Sequence, residues 1–228
     1  DAANQDLIPG RDFPTAVQQA PTQDDTPRVI RWMIKPLKRG MFIRLPIMDT
    51  DPNRGITLGV MPIWVIQGKT DDRIEQIHAP SLTYNKNFAL IPTYRYYFYP
   101  AEDATFVGRV SYSKYEREAL GEYEDGSVLG SDFDIVTRLQ YNVDAGQRFF
   151  GFGPDSPKNG ESNYREEYIQ YKLGIGTPFS HGSPWRAHIS KHYQVERITE
   201  GVLPNLPSFT ATYPNQISRN YQQTNETR

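Results

Sequence analysis

The 228-residue sequence contains no cysteine, which removes disulfides, thiolate nucleophiles and cysteine-ligated zinc together. It has no apolar run near 18 residues, and its mean hydropathy is −0.65. Both exclude a transmembrane helix. It also lacks an excess of charge of either sign: 25 Lys and Arg face 27 Asp and Glu, a net −2. Nothing in that balance points to a nucleic-acid partner. No Gly-x-Ser-x-Gly elbow occurs, and Gly151-Phe152-Gly153 lacks the third glycine and following helix of a dinucleotide loop. No catalytic apparatus, cofactor or metal is expected, and the chain does not read as an enzyme.

Aromatic residues are plentiful: 15 Tyr, 11 Phe and 3 Trp in a chain otherwise this polar. Their setting is a period of two. In residues 56–66 every even position is apolar. In 104–112, Phe106, Val110 and Tyr112 alternate with Thr105, Arg109 and Ser111. Phe133, Ile135, Leu139, Tyr141 and Val143 alternate with Asp134, Arg138, Gln140 and Asn142. The same alternation runs through 169–175 and 185–195. One greasy and one polar face per run is the signature of β-strands. Segments 74–84 and 87–99 give two further strands joined by a tight turn at Asn85-Lys86-Asn87, and 208–213 reads as the start of an eighth. No helical pattern lies between the runs, so the expected fold is all-β and antiparallel, with seven or eight strands.

Several runs exceed the five or six residues usual for soluble strands and approach the roughly 9–11 that a tilted membrane strand needs. Tyr and Trp near their ends, Tyr112 and Trp185 among them, suit the aromatic girdles of a transmembrane β-barrel. The opposite face then lines a wet interior, for which Arg109, Arg138, Gln140, Lys172, Arg186 and His188 are the candidates. A soluble lipid- or ligand-binding β-barrel, with the aromatics in its core, is the alternative.

A more specific signal lies at Arg148-Phe149-Phe150-Gly151-Phe152-Gly153-Pro154-Asp155-Ser156, followed by Glu161-Ser162-Asn163-Tyr164. This resembles the aromatic-Gly-x-Gly motif and strand start of the Omp85 superfamily, the bacterial surface antigen D15-type barrels. Arg148, Phe149, Gly151, Gly153 and Tyr164 carry it. Residues 51–59 (Asp-Pro-Asn-Arg-Gly-Ile-Thr-Leu-Gly) look like that family's entry into its first barrel strand. The similarity covers about 46–213.

The resemblance implies an outer-membrane barrel that transports, assembles or inserts outer-membrane components, with lipid and other protein subunits or a second barrel half as partners. It also implies a lateral seam at the first strand, taken here as 56–66, where Gly59 and Pro62 weaken pairing. Seven or eight strands correspond to the N-terminal half of the family's sixteen-stranded barrel, without periplasmic POTRA repeats. The expected organisation is a polar arm with a short basic amphipathic segment over 1–45, barrel strands over 46–213, and a polar tail or loop over 214–228. Asp49-x-Asp51-x-Asn53 has the start of a calcium loop, but Arg54 and Val60 stand where Gly and Glu are needed. A strand-entry turn is the expectation there. His188 and His192, four apart on a strand, lie about 13 Å apart and are read as polar-face residues rather than metal ligands. The acidic segment 116–125 is expected to be a solvated loop.

Overall fold

A computed structural model describes residues 27–51, 55–69, 72–151, 156, 160–214 and 222–227. The chain forms one antiparallel meander of eleven strands: β1 (Ile34–Leu37), β2 (Gly40–Asp51), β3 (Gly55–Gln67), β4 (Ile74–Asn85), β5 (Ala89–Phe98), β6 (Ala104–Tyr112), β7 (Glu116–Asp125), β8 (Asp134–Phe149), β9 (Ser162–Pro178), β10 (Arg186–Glu200) and β11 (Gln222–Thr227). Each strand pairs with its neighbours in sequence, and among the described residues β1 and β11 are the two edges. Two short α-helices, α1 (Arg28–Met33) and α2 (Phe209–Thr212), and a 3-10 turn at Val128–Gly130 are the helical elements among the described residues. Among the described residues no helix is long and apolar enough to cross a membrane, which says nothing of crossing by strands.

Strands β2 to β10 run 9 to 17 residues, as the long alternating segments require. The turns follow local chemistry. At 85–88 the Asn87 N–H donates to Asn85 Oδ1 at 2.8 Å, so the Asn85 side chain imitates a backbone turn. At 113–116 the Ser113 hydroxyl accepts from the Glu116 N–H at 2.9 Å.

The registers fix which residues share a face. Gly121, Leu139, Tyr171 and Tyr193 form one row across β7–β10, and Ala119, Tyr141, Ile169 and Val195 the next. Leu58, Tyr84 and Leu90, then Val60, Leu82 and Pro92, continue this apolar face across β3–β5. The intervening positions form a polar face. The apolar face is the exposed one: Leu139 is 56% exposed and Leu82 44%, whereas Gln140 is 8% and Ser81 6%. The polar face is thus the more shielded of the two.

Several expectations are corrected. The described residues form eleven strands rather than seven or eight: β1, β2, β7 and β11 are additional, β2 and β7 inside the sheet and β1 and β11 at its edges. β1 and the start of β2 fall in the expected arm, and β11 falls in the expected polar tail, where Gln222–Thr227 pairs with Lys191–Glu196 of β10. The acidic segment is not a loop but β7, whose Glu side chains alternate onto the polar face. Residues 208–213 are not a strand: Ser208 caps α2, its Oγ accepting from the Thr210 N–H. The segment 56–66 lies in the third strand and is paired on both sides, so it is not an edge.

Candidate functional site

The polar face carries the densest side-chain chemistry. Arg109 of β6 pairs with Glu118 of β7. Glu118 also accepts from Gln140 of β8 at 3.0 Å; Gln140 accepts from Gln170 of β9 at 2.6 Å; and Gln170 Oε1 lies 3.3 Å from His192 Nε2 of β10. Five consecutive strands are therefore tied by one lateral chain of hydrogen bonds. Arg138 pairs with Glu122 in the row that also holds Lys172 and His192.

All six residues expected to line a wet interior lie on this face. Arg109, Gln140 and Arg138 enter the network just described. Lys172 stands between Arg138 and His192 in register. Arg186 reaches across β9 to Asp134 of β8, an ion pair that also places the guanidinium 2.9 Å from the Asp132 carbonyl. The reach depends on Gly176, the register partner of Asp134 on β9: a Cβ there would collide with the Asp134 carboxylate. Gly174 likewise leaves the space filled by the His188 imidazole. β9 thus carries a backbone trough under the Asp134–Arg186 pair. Among the described residues no group of three or more His, Asp or Glu is placed to hold a metal ion. Asp49 and Asp51 lie in β2; Asn53 is outside the described residues.

The connections alternate between two ends of the sheet, and most of the tightest burial gathers at the end holding 86–88, 113–115, 160–161 and 201–214. Arg148 pairs with Glu161 and lies over the Phe150 ring at 5.6 Å. Phe149 meets Phe209 of α2 edge-on at 4.9 Å and Tyr213 at 5.4 Å, while Tyr164 lies 5.9 Å from Phe209. Gly151 has φ +115° and its Cα faces the Ser156 side chain, both of which favour glycine. Gly153 is outside the described residues. Four of the five motif residues are thus described, and Phe149 and Tyr164 converge on the same aromatic cluster.

That cluster contains residues the sequence did not single out. Asn163, 1% exposed, donates from Nδ2 to the Gln147 carbonyl at 2.7 Å and to that of Ala145 at 3.3 Å, and accepts the Leu203 N–H at 2.9 Å. Segment 201–213 is thereby strapped onto β8 and β9. Phe88 crosses from the β4–β5 turn to pack against Gly146 of β8 and Tyr115. Pro204 and Pro207 were the available signal, since two prolines in one short stretch argue against a strand.

At the expected seam, the β3–β4 ladder runs through Val60↔Leu82, skips Met61 to Ile63, and resumes at Trp64↔His78. Pro62 and Pro80 fall opposite each other in the gap and neither has an N–H to donate. Gly59 sits against the Leu82 carbonyl and Thr83, with no room for a Cβ. Pairing is weak here, but inside the sheet. The expected basic segment is α1, whose residues are exposed apart from partly covered Met33; Arg44 donates to the Trp32 carbonyl at 2.7 Å.

No family model, curated protein or solved structure matches the chain.

Proposed function

We propose that this chain forms part of the wall of an outer-membrane β-barrel of the Omp85 type, with its apolar face toward lipid and its polar face toward a wet interior. In this reading it resides in the bacterial outer membrane and serves transport or the assembly of outer-membrane components. The observation that carries it is the inverted amphipathicity of the sheet: the shielded face is polar and the exposed face apolar. Soluble monomers rarely leave a contiguous apolar surface larger than a few hundred Å². Here such a surface continues from Met48 to Ile189. Along β8, Phe133 to Val143 spans roughly 33 Å at ~3.3 Å per residue, or about 25 Å of depth at a ~40° tilt, the height of a barrel's lipid-facing band. A soluble ligand-binding barrel would shield its apolar face, the reverse of this arrangement. The Omp85 assignment rests on the Arg148–Tyr164 motif.

The test is reconstitution. Refolded into phosphatidylcholine vesicles, the protein should float with the lipid and migrate faster on a gel unheated than boiled. Detergent should protect Tyr112 and Trp185 from aqueous oxidative labelling. A protein that is monomeric and soluble without detergent, with equal labelling in both conditions, would overturn the proposal.

A further inference from the structure

On the apolar face of β7–β10 the row nearest the 113–115 turn departs from the rows beside it. Arg117, Val143, Glu167 and Arg197 stand in register across four neighbouring strands, with Tyr112 of β6 opposite Arg117. Arg165 lies on the same face two residues beyond Glu167, opposite Thr199. Glu167 accepts from Arg197 at 2.6 Å and from the Tyr141 hydroxyl at 3.1 Å. Three guanidinium groups and a single carboxylate thus stand in this patch, with Arg197 paired to Glu167, which leaves two positive charges in excess. The Arg117 guanidinium lies 5.2 Å over the Tyr112 ring. The Nε–H groups of Arg117 and Arg165 are covered and have no acceptor among the described residues. The next row inward, Ala119, Tyr141, Ile169 and Val195, carries no charge.

Taking the membrane reading above as its basis, we infer that Arg117, Arg165 and Arg197 form a rim site for the phosphodiester of an anionic glycerophospholipid. The band geometry places the basic row at headgroup depth. The apolar rows below it, Ile169 and Leu139 among them, offer a surface for the acyl chains. A planar guanidinium fork fits phosphate oxygens. The excess positive charge selects against phosphatidylcholine, whose own ammonium already neutralises its phosphate.

The full chain in a neutral detergent is titrated with phosphatidylglycerol or phosphatidylcholine, and retained lipid is counted by native mass spectrometry. The wild-type protein should prefer phosphatidylglycerol. R117Q/R165Q, which leaves the Arg197–Glu167 pair intact, should lose about fivefold of that preference per arginine removed, about 25-fold together. R117K/R165K should retain most of the preference, and K191Q, on the same face but outside the row, should retain all of it. Inorganic phosphate at the same concentration should not displace the lipid. Equal retention of both lipids by the wild type, an unchanged preference in R117Q/R165Q, or displacement by inorganic phosphate would overturn the inference. Flotation on phosphatidylcholine vesicles separates the two claims. A wild type that floats without a phosphatidylglycerol preference contradicts the rim site alone, whereas one that does not float contradicts the membrane reading and the site with it.

Discussion

Asn163 holds three backbone groups at once, the carbonyls of Ala145 and Gln147 and the N–H of Leu203, while almost wholly buried. Gly201 lies directly against its amide, so that position has no room for a side chain. Replacement by Ala leaves these groups without a partner that water can readily supply, at about 1–3 kcal/mol for an unsatisfied buried group. Asn163→Ala should therefore lower stability by about 3 kcal/mol, read as a reduced urea midpoint of the refolded protein. A midpoint unchanged from wild type would remove Asn163 as the clasp of segment 201–213. The clasp is not legible in a single sequence, because its partners come from two distant segments, Ala145 and Gln147 at the β8 irregularity and Leu203 beyond β10. The motif residues were legible for the opposite reason. Phe149, Gly151 and Tyr164 lie within one short stretch of sequence, where a resemblance to a family motif can mark them.

Periodicity marked the central strands and failed at the edges. The middles of β8, β9 and β10 alternate with a period of two, and the registers place Leu139, Tyr141, Ile169, Tyr171, Tyr193 and Val195 on one face and Arg138, Gln140, Gln170, Lys172, His192 and Gln194 on the other. β11, Gln222–Thr227, has no apolar alternate position to betray a strand, and it forms because the exposed edge of β10 offers a ladder. β7 is masked in the sequence by its glutamates, which a strand accommodates here because Arg109 and Arg138 face Glu118 and Glu122. Longer-range ties also join the connections. His181 Nδ1, in the β9–β10 connection, lies 2.7 Å from Asp132 Oδ2 in the β7–β8 connection. The hydrogen bond to Asp132, then its charge, raises the His181 pKa above the ordinary 6.5. A raised value means that the protonated imidazole is the form that favours the contact. The tie is complete below the unfolded-state pKa and is lost as pH rises through the folded-state value. An NMR titration of His181 should show this elevation in the wild type and its disappearance in Asp132→Asn. Identical midpoints in the two proteins would show that the loops are not coupled through this pair. Because His181 is highly exposed, the effect belongs to the loops and not to global stability.

At the scale of the whole molecule, the sequence's polarity and its aromatic excess are reconciled by one sheet with two unlike faces. The strand-rich antiparallel class and the common face of Arg109, Arg138, Gln140, Lys172, Arg186 and His188 could be read from alternation. The number of strands could not, and neither could the position of 56–66 within the sheet. Both depend on β1, β2, β7 and β11, whose segments lack a clean apolar–polar alternation. Segregation of the faces also yields the most direct test, and the absence of cysteine makes it clean. Single cysteines are placed along β8 from Thr137 to Val143, and the protein is reconstituted into vesicles. Each variant is then exposed to a water-soluble maleimide and, separately, to a lipid-phase one. Positions 138, 140 and 142 should react from water, while 137, 139 and 141 should react only from the lipid phase, giving a two-residue alternation along the strand. Uniform reactivity, or alternation with the phases exchanged, would contradict a sheet that turns its apolar face to the membrane.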